Sequence, residues 1–211
     1  MYIHKNLKML KGDASSRKFF RNKGKDFSTI LIKSKNDKKI NLLIYDSINK
    51  ILIKNDILAP KLIKENYSKN FIEIEDFGDQ TIFNLFKEKN VVKLKVLKKT
   101  IDLLIKIQKI RQRKIMNFKK KIYKVPLYDK EILFKEAKLF SDWYVDQKLI
   151  KSKKSEFKKK FLNILKDLIK KLKLNNDTFV HRDFHISNLM IVKDSIGVID
   201  SQDALIGNKA Y

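Results

Sequence analysis

The stretch from Phe179 to Asp203 constrains this chain more than any other segment. Two short apolar runs, Leu189–Val192 and Ile196–Ile199, flank a polar break of three residues, and this pattern predicts a β-hairpin. Because paired strands lie about 5 Å apart, we expect the residues at the open ends of the hairpin, Asn188 and Asp200, to lie side by side. Mg²⁺ prefers oxygen ligands, usually one or two carboxylates together with phosphate oxygens. The sequence therefore predicts a magnesium site at Asn188 and Asp200.

A second carboxylate, Asp183, lies five residues before Asn188, at the edge of the same predicted site. Phosphoryl transfer needs a positioned acceptor hydroxyl, a group that takes its proton, and Mg²⁺ to neutralise charge. The pattern His181-x-Asp183-x-x-x-x-Asn188, followed by an apolar hairpin and Asp200, resembles the catalytic loop and metal-binding aspartate of the protein-kinase-like fold. With His185, the loop is more similar to that of the small-molecule kinases, which include the aminoglycoside and choline kinases.

The composition fits a globular chain with one large domain or two lobes, since 43% of the 211 residues are hydrophobic. Cysteine is absent, which excludes disulfides and thiolate metal sites and agrees with a reducing compartment. The first residues lack the apolar region of a signal peptide, and no uncharged apolar run approaches the roughly 20 residues of a membrane span. We therefore expect a cytoplasmic protein without a membrane partner.

The net charge of +25 would attract nucleic acid or another polyanion. However, only five of the 49 basic residues are arginines, whereas base-edge and bidentate phosphate recognition favours arginine. The lysines are also spread along the whole chain, mostly on the polar sides of helical patterns. We therefore expect no specific nucleic-acid partner, and keep a polyanion-binding module as an alternative.

The N-terminal part contains strand and helix patterns in the order expected of a kinase N-lobe. A turn of small residues at 12–16 can present backbone N–H groups and hydroxyls to phosphates, although a plain hairpin turn is the alternative. The segment Phe27–Lys33 is typical of a β-strand, and in a kinase-like lobe Lys33 is expected to reach the α- and β-phosphates. Lys39–Lys54 has the 3–4 apolar spacing of an amphipathic helix.

A break in the pattern separates this part from a mainly helical remainder. Asn70–Glu75 alternates as a strand, and Asp76–Gln80 interrupts it with a glycine. We expect an N-lobe at 1–75, a hinge at 76–80 and a C-lobe at 81–211. Two long stretches of the C-lobe keep helical spacing, with apolar stripes that include Leu94 and Ile101 in the first and Phe157 and Leu168 in the second; both stripes are expected to be core.

Several further motifs occur in an order that makes the resemblance more specific. They are Gly-Asp-Ala-Ser-x-Arg-x-x-Phe-Arg from Gly12, Asp-x-Gly-Asp-x-Thr from Asp76, Pro-x-Tyr-Asp from Pro126, and Ile-Asp-x-Gln-Asp-Ala from Ile199. Together they resemble the bacterial N-acetylmuramate/N-acetylglucosamine anomeric kinases of cell-wall sugar recycling, relatives of the aminoglycoside phosphotransferases. The resemblance implies an α+β, protein-kinase-like two-lobe fold, with an antiparallel N-lobe sheet plus a helix and a mostly helical C-lobe.

The resemblance also implies roles for individual residues and the use of ATP and Mg²⁺. Asp183 is the expected catalytic base for a sugar hydroxyl, and His181 is expected to brace the catalytic loop. The metal ligands are expected to be Asn188 and Asp200. The remaining expected contacts are Ser15, Ser16 and Arg17 over the phosphates, the backbone of Glu75, Asp76 and Phe77 at the adenine, and Asp129 and Trp143 at the acceptor.

Three departures from the family pattern bear on activity. Ser201 stands where members usually have phenylalanine, a change expected to loosen the packing that orients Asp200. Asn208-Lys209 replaces the more usual Pro-x after Gly207. Family members continue through further C-lobe helices beyond the position of Tyr211, so we expect a fragment of a longer reading frame. Alternatives are an aminoglycoside or choline-type acceptor and a non-catalytic, kinase-like nucleotide-binding protein.

Overall fold

The computed structural model describes residues 7–10, 17–24, 27–88, 92–173 and 175–210. Their contacts divide the chain into two compact units. The first comprises 1–125 and 181–204, and the second comprises 126–180 and 205–211. This division groups the predicted catalytic loop with the N-terminal sheet, whereas the sequence-based lobe bounds at 75 and 81 remain a prediction.

The first unit contains a five-stranded antiparallel sheet in the order β1-β2-β3-β5-β4. Its strands are β1 (Leu7–Met9), β2 (Arg17–Lys23), β3 (Ser28–Ser34), β4 (Leu62–Asn66) and β5 (Phe71–Glu75). The predicted helix is present as α1 (Ile40–Lys54), and short 3₁₀ turns occur at Asn36–Lys38 and Tyr67–Lys69. This part of the predicted architecture, an antiparallel sheet with a helix, is confirmed.

One face of the sheet forms a core with α1. Ile30 pairs with Ile74 and Ile32 pairs with Ile72, so these four side chains share a face. On α1, Leu42 and Tyr45 are buried against this face. The alternating isoleucines of β3 and β5 therefore pack against the helically spaced apolar residues of α1 in one apolar layer.

The rest of the first unit consists of helices α2 (Ile82–Leu85) and α3 (Lys93–Gln108) and two hairpins. The hairpins pair β6 (Lys114–Met116) with β7 (Ile122–Lys124), and β9 (Leu189–Val192) with β10 (Ser195–Val198). The hairpin predicted around the polar break is therefore confirmed, with its second strand starting one residue earlier than expected.

The second unit is mostly helical. It contains α4 (Lys130–Leu139), a π-helical turn (Phe140–Val145), α5 (Asp146–Lys148), α6 (Lys151–Lys171), and the antiparallel pair of β8 (Thr178–Val180) with β11 (Leu205–Gly207). The two long helices predicted from spacing are present as α3 and α6. Their burial is not as predicted, because Leu94 and Ile101 of α3 and Leu168 of α6 are exposed. Among the described residues, no helix has both the length and the low charge needed to cross a membrane.

Candidate active site

The β9–β10 hairpin brings the two predicted metal ligands together. Leu189 pairs with Val198, and the Ile199 N–H donates to the carbonyl of Asn188 at 3.0 Å. Asn188 directly precedes β9, and Asp200 follows shortly after β10. The two residues therefore lie at the same, open end of the hairpin. The backbone of Asp200 lies in the left-handed region, with φ of 58°, which redirects the chain at this residue.

The loop from His181 to Asn188 is folded back on itself by hydrogen bonds. The Asp183 carbonyl accepts the Asn188 Nδ2–H at 3.1 Å and the His185 N–H at 3.0 Å. The Asn188 N–H in turn donates to the His185 carbonyl at 2.8 Å. These bonds hold Asp183 and Asn188, which lie five positions apart in the sequence pattern, close together in space.

The surroundings of Asp183 favour its protonated form more than water does. The residue is exposed, but partial desolvation of its carboxyl group, and then the negative charges of Asp203 and Asp200, raise its pKa above the ordinary value. Arg182 and His185 act in the opposite direction. A carboxylate with a raised pKa is a better proton acceptor than an ordinary aspartate.

The imidazole of His181 is buried at the start of the loop and packs edge-to-face on Phe184. Burial lowers its pKa from 6.5 to about 4, although the charge of Asp200 acts in the opposite direction. The ring is therefore neutral at pH 7. A neutral, buried ring fits the predicted role in bracing the loop and places no positive charge beside Asp183.

Arg17 is the cationic group next to Asp200. Its Nη2 lies 3.2 Å from Asp200 Oδ1, and the arginine side chain is only 9% exposed. Strand β2 begins at Arg17, which lies opposite Ser34 of β3. The sheet thus holds a guanidinium against the metal-ligand carboxylate that follows β10.

A cavity of about 660 Å³ opens between the sheet and the β9–β10 hairpin, and every residue that lines it belongs to the first compact unit. Its lining includes apolar side chains together with polar groups, among them those described above. The apolar side chains are Leu10, Phe19, Ile30, Pro60, Ile74, Phe77, Met190 and Ile199, and the polar end is formed by Arg17, Tyr45, Asn188 and Asp200. Volume and lining are typical of a site for a small organic ligand.

The predicted hinge forms the edge of the same cavity, which Glu75, Asp76 and Phe77 all line. The Asp76 carboxylate accepts hydrogen bonds from Arg21, from the Ser28 hydroxyl at 2.7 Å and from the Gly78 N–H at 2.9 Å. Burial alone would raise the pKa of Asp76, but these hydrogen bonds hold it below its usual range. Gly78 has φ of 82°, a value that glycine adopts without strain.

Two polar residues at this cavity were given no individual role from the sequence. Arg21 ends the Gly-Asp-Ala-Ser-x-Arg-x-x-Phe-Arg motif, but the motif does not predict its bonds to Asp76 and Asp79. Tyr45 lines the cavity from α1, where its helical spacing predicts only core packing. Both residues reach the site only because the fold brings them next to residues that are distant in sequence.

Three of the predicted phosphate-contact residues lie away from the cavity or outside the described residues. Lys33 is exposed and follows Ile32 on β3, so it lies on the sheet face opposite Ile30 and Ile32 and does not line the cavity. The phosphate role predicted for Lys33 therefore finds no support in this geometry. Ser15 and Ser16 lie outside the described residues.

The predicted acceptor residues, Asp129 and Trp143, belong to the second compact unit. Asp129 caps α4, where its Oδ1 accepts the Ile132 N–H at 2.9 Å. Trp143 lies in the π-helical turn and is 68% exposed. Their roles at an acceptor stay predictions.

The donor set at the polar end suits Mg²⁺. In the described part of the chain, both side-chain contacts of Asn188 use Nδ2, which faces the Asp183 carbonyl and His185 Nε2. The amide oxygen of Asn188 and a carboxylate oxygen of Asp200 then remain as hard ligands. No group of three or more His, Cys, Asp or Glu side chains that could hold a metal occurs within the described ranges. Two protein ligands leave positions for phosphate oxygens, which is how Mg²⁺ is usually bound.

Two curated relatives are both named N-acetylmuramate/N-acetylglucosamine kinase. The protein from Pseudomonas aeruginosa is 27% identical over 199 residues, which cover 94% of this chain and 55% of that protein. The protein from Neisseria meningitidis is 25% identical over 201 residues, which cover 94% of this chain and 57% of that protein. The chain thus spans little more than half the length of these relatives.

Solved structures of aminoglycoside phosphotransferases have a similar fold. A streptomycin–ATP ternary complex of APH(2")-IIa matches with a TM-score of 0.63 at 13% identity, covering 97% of this chain and 68% of that one. The ADP-bound APH(2'')-Ib matches with a TM-score of 0.63 at 17% identity, with the same coverage. These similarities confirm the predicted protein-kinase-like fold.

The sequence model of the phosphotransferase enzyme family covers residues 6–211, which include the hairpin, the loop and the cavity described above. A match over nearly the whole chain is far more specific than any single motif. This chain therefore belongs to the phosphotransferase enzyme family.

Proposed function

We propose that this chain binds Mg²⁺-ATP and transfers its γ-phosphoryl group to a hydroxyl of a small molecule, the anomeric hydroxyl of an amino sugar such as N-acetylmuramate or N-acetylglucosamine. One observation carries the proposal. Asn188 and Asp200 lie side by side at the polar end of the cavity, and a hydrogen bond links Asn188 to the backbone of Asp183.

The nucleotide would lie along the cavity. Its base would lie against the apolar part of the lining. This part includes Ile30 and Ile74 of the sheet and Met190 and Ile199 of the hairpin region. Glu75, Asp76 and Phe77 also line the cavity, and their backbone would offer hydrogen-bonding groups to the base edge. The phosphates would then lie at the polar end beside the Arg17 guanidinium, which suits phosphate oxygens. Ser15 and Ser16 remain candidates for further phosphate contacts.

Asn188 and Asp200 would hold the metal through one amide and one carboxylate oxygen. Bound Mg²⁺ neutralises charge on the phosphates in such a site. Arg17 would add a second positive charge at the same end of the cavity, so that the polar end becomes attractive to a polyanion despite the carboxylate of Asp200.

Asp183 would take the proton of the acceptor hydroxyl as the oxygen attacks the γ-phosphorus and the bond to the β-phosphate oxygen breaks. Its raised pKa makes proton acceptance more favourable than for an ordinary aspartate. His181 would brace the loop from its buried position as a neutral ring.

The acceptor class rests on the curated relatives and on charge. Both relatives are named as kinases of N-acetylmuramate and N-acetylglucosamine. A chain with net charge +25 suits an anionic acceptor such as N-acetylmuramate better than a cationic aminoglycoside or choline. Asp129 and Trp143 are the proposed acceptor contacts, since aromatic faces and carboxylates are typical partners of sugars.

The test is mass-spectrometric detection of a sugar phosphate after incubation with Mg²⁺-ATP and either sugar. We expect Asp183→Asn to lower turnover by roughly 10²- to 10⁴-fold while nucleotide affinity stays nearly unchanged, because the amide cannot accept the proton but keeps the shape of the side chain. Asp194→Asn, the same change in the exposed turn of the hairpin, is the matched control. Product formation that is equal in both variants would contradict the role of Asp183.

A further inference from the structure

A buried polar contact joins helix α1 to the residue that follows Asp200. The Ser201 hydroxyl is completely buried and donates to Asn49 Oδ1 at 2.6 Å. Asn49 is also buried, and its Nδ2 donates to the Pro60 carbonyl at 2.9 Å. One asparagine side chain therefore connects α1, the loop that follows α1, and the segment that carries Asp200.

Tyr45 lies near this contact on α1 and lines the same cavity as Asp200. It lies one helical turn before Asn49 and is buried. The electrostatic surroundings of its hydroxyl include the Asn49 side chain and the backbone of Asp200. We name the side chains of Tyr45, Asn49 and Ser201 the α1 anchor.

The backbone of Asp200 needs such an anchor. A non-glycine residue with φ of 58° is uncommon and persists only where the surroundings determine it. On the N-terminal side, the Val198 N–H donates to the Leu58 carbonyl at 2.8 Å and ties the end of β10 to the same loop. On the C-terminal side, the tie is the bond between Ser201 and Asn49. Asp200 is thus held from both sides by α1 and the loop after it.

Stability alone is a weak explanation for the α1 anchor. Burying a hydroxyl and an amide costs desolvation, and apolar side chains of similar shape serve packing at least as well. What a directional hydrogen bond adds is orientation, since it specifies where the Ser201 backbone must lie relative to Asn49. The sequence pattern predicts looser packing at Ser201, whereas the structure has a buried hydrogen bond there.

We propose that Asn49 and Ser201 are positioning residues that hold the Asp200 carboxylate in the orientation required for Mg²⁺-dependent nucleotide binding. This inference rests on the proposed function, because it assigns the metal-ligand role to Asp200. The bond between Asn49 and Ser201 acts through the backbone at Ser201, and neither residue lines the cavity where the nucleotide is proposed to bind. Its loss should therefore weaken only the part of the nucleotide affinity that depends on Mg²⁺.

The experiment is titration calorimetry with ATP in the presence of Mg²⁺ and, separately, in EDTA, on the 211-residue chain. We expect Ser201→Ala to weaken the affinity for Mg²⁺-ATP roughly fivefold, the usual effect of one lost hydrogen bond, and to leave the affinity in EDTA within about twofold. Ser47→Ala is the matched control. Ser47 is also completely buried on α1, but its hydroxyl donates to the Leu43 carbonyl within the helix.

Asn49→Ala and the double variant with Ser201→Ala complete the test. If the anchor works through one shared bond, the double variant loses no more Mg²⁺ dependence than the more affected single variant. Thermal unfolding without Mg²⁺ reports any loss of structure in each variant. Equal effects of Ser201→Ala in Mg²⁺ and in EDTA, or effects no larger than those of Ser47→Ala, would overturn the inference alone. A wild-type chain without Mg²⁺-dependent ATP binding would overturn the proposed function and the inference with it.

Discussion

The Arg21 guanidinium lies 2.6 Å from the Asp76 carboxylate, in an ion pair whose side chains are only 11% and 3% exposed. The same arginine donates to both carboxylate oxygens of Asp79 at 2.8 Å and to the Gly78 carbonyl at 3.0 Å. Strand β2 is thereby tied to residues of the predicted hinge at the edge of the cavity. Arg21 itself lines the cavity, so this tie shapes the region where the nucleotide base is proposed to bind.

We expect Arg21→Met to destabilise the first unit by about 3 kcal/mol, because it leaves the buried Asp76 carboxylate without its charged partner. Urea unfolding measures the effect. Lys119→Met is the matched control, because its 3.8 Å pair with Glu65 has side chains 41% and 37% exposed, and such pairs contribute less than about 1 kcal/mol. Equal losses in the two variants would show that burial does not strengthen the Arg21 pair.

Local patterns in the sequence predict the center of the site. The two apolar runs around the polar break specify the hairpin, and the hairpin in turn specifies that Asn188 and Asp200 are neighbours. Helical spacing likewise predicts the existence of α3. It does not predict which face is buried: Thr100 and Ile107 are buried, whereas Leu94 and Ile101 are exposed.

Contacts between residues far apart in sequence could not be predicted from local patterns. Arg21 donates a hydrogen bond to Asp76, which lies 55 positions later in the sequence. Asn49 accepts one from Ser201, which lies 152 positions later. A buried asparagine within a helix pattern looks like any polar position until its partners are known. Lys33 illustrates the opposite case, since a lysine at the end of a strand matches the expectation by position but lies on the other face of the sheet. Strands of three residues, such as β6 and β8, are too short to establish an alternation.

Gly197→Ala tests the packing between the hinge and the hairpin. A Cβ atom at Gly197 would lie 2.7 Å from Phe77 Cε2 and 2.9 Å from Cδ2, so the ring must move. Because Phe77 lines the cavity, we expect a loss of stability of about 1–3 kcal/mol together with weaker ATP binding. Phe77→Leu in the same chain should recover most of the stability. A single variant with unchanged affinity and stability would show that the ring moves at no cost.

Asp200→Ala should have opposite effects on ATP binding with and without metal. In Mg²⁺ we expect roughly a tenfold or larger loss of affinity, about 1.4 kcal/mol, because a metal ligand is removed. In EDTA we expect equal or tighter binding, since a negative charge leaves the phosphate end of the cavity beside Arg17. Asp203→Ala, an exposed carboxylate that does not line the cavity, is the control. A similar loss of affinity in both media would argue against a metal-ligand role for Asp200.

His181 should make the free energy of unfolding depend on pH between about 6.5 and 4. Burial lowers its pKa from 6.5 to about 4 in the folded chain, so within this window the unfolded chain binds a proton that the folded chain does not. Stability therefore falls as the pH falls from 6.5 toward 4, by about 3 kcal/mol in total, and is unaffected by this group above 6.5. Urea unfolding at several pH values should give a smaller slope for His181→Gln than for the wild type. If His181→Gln kept the full slope, the pH dependence would have to come from other groups.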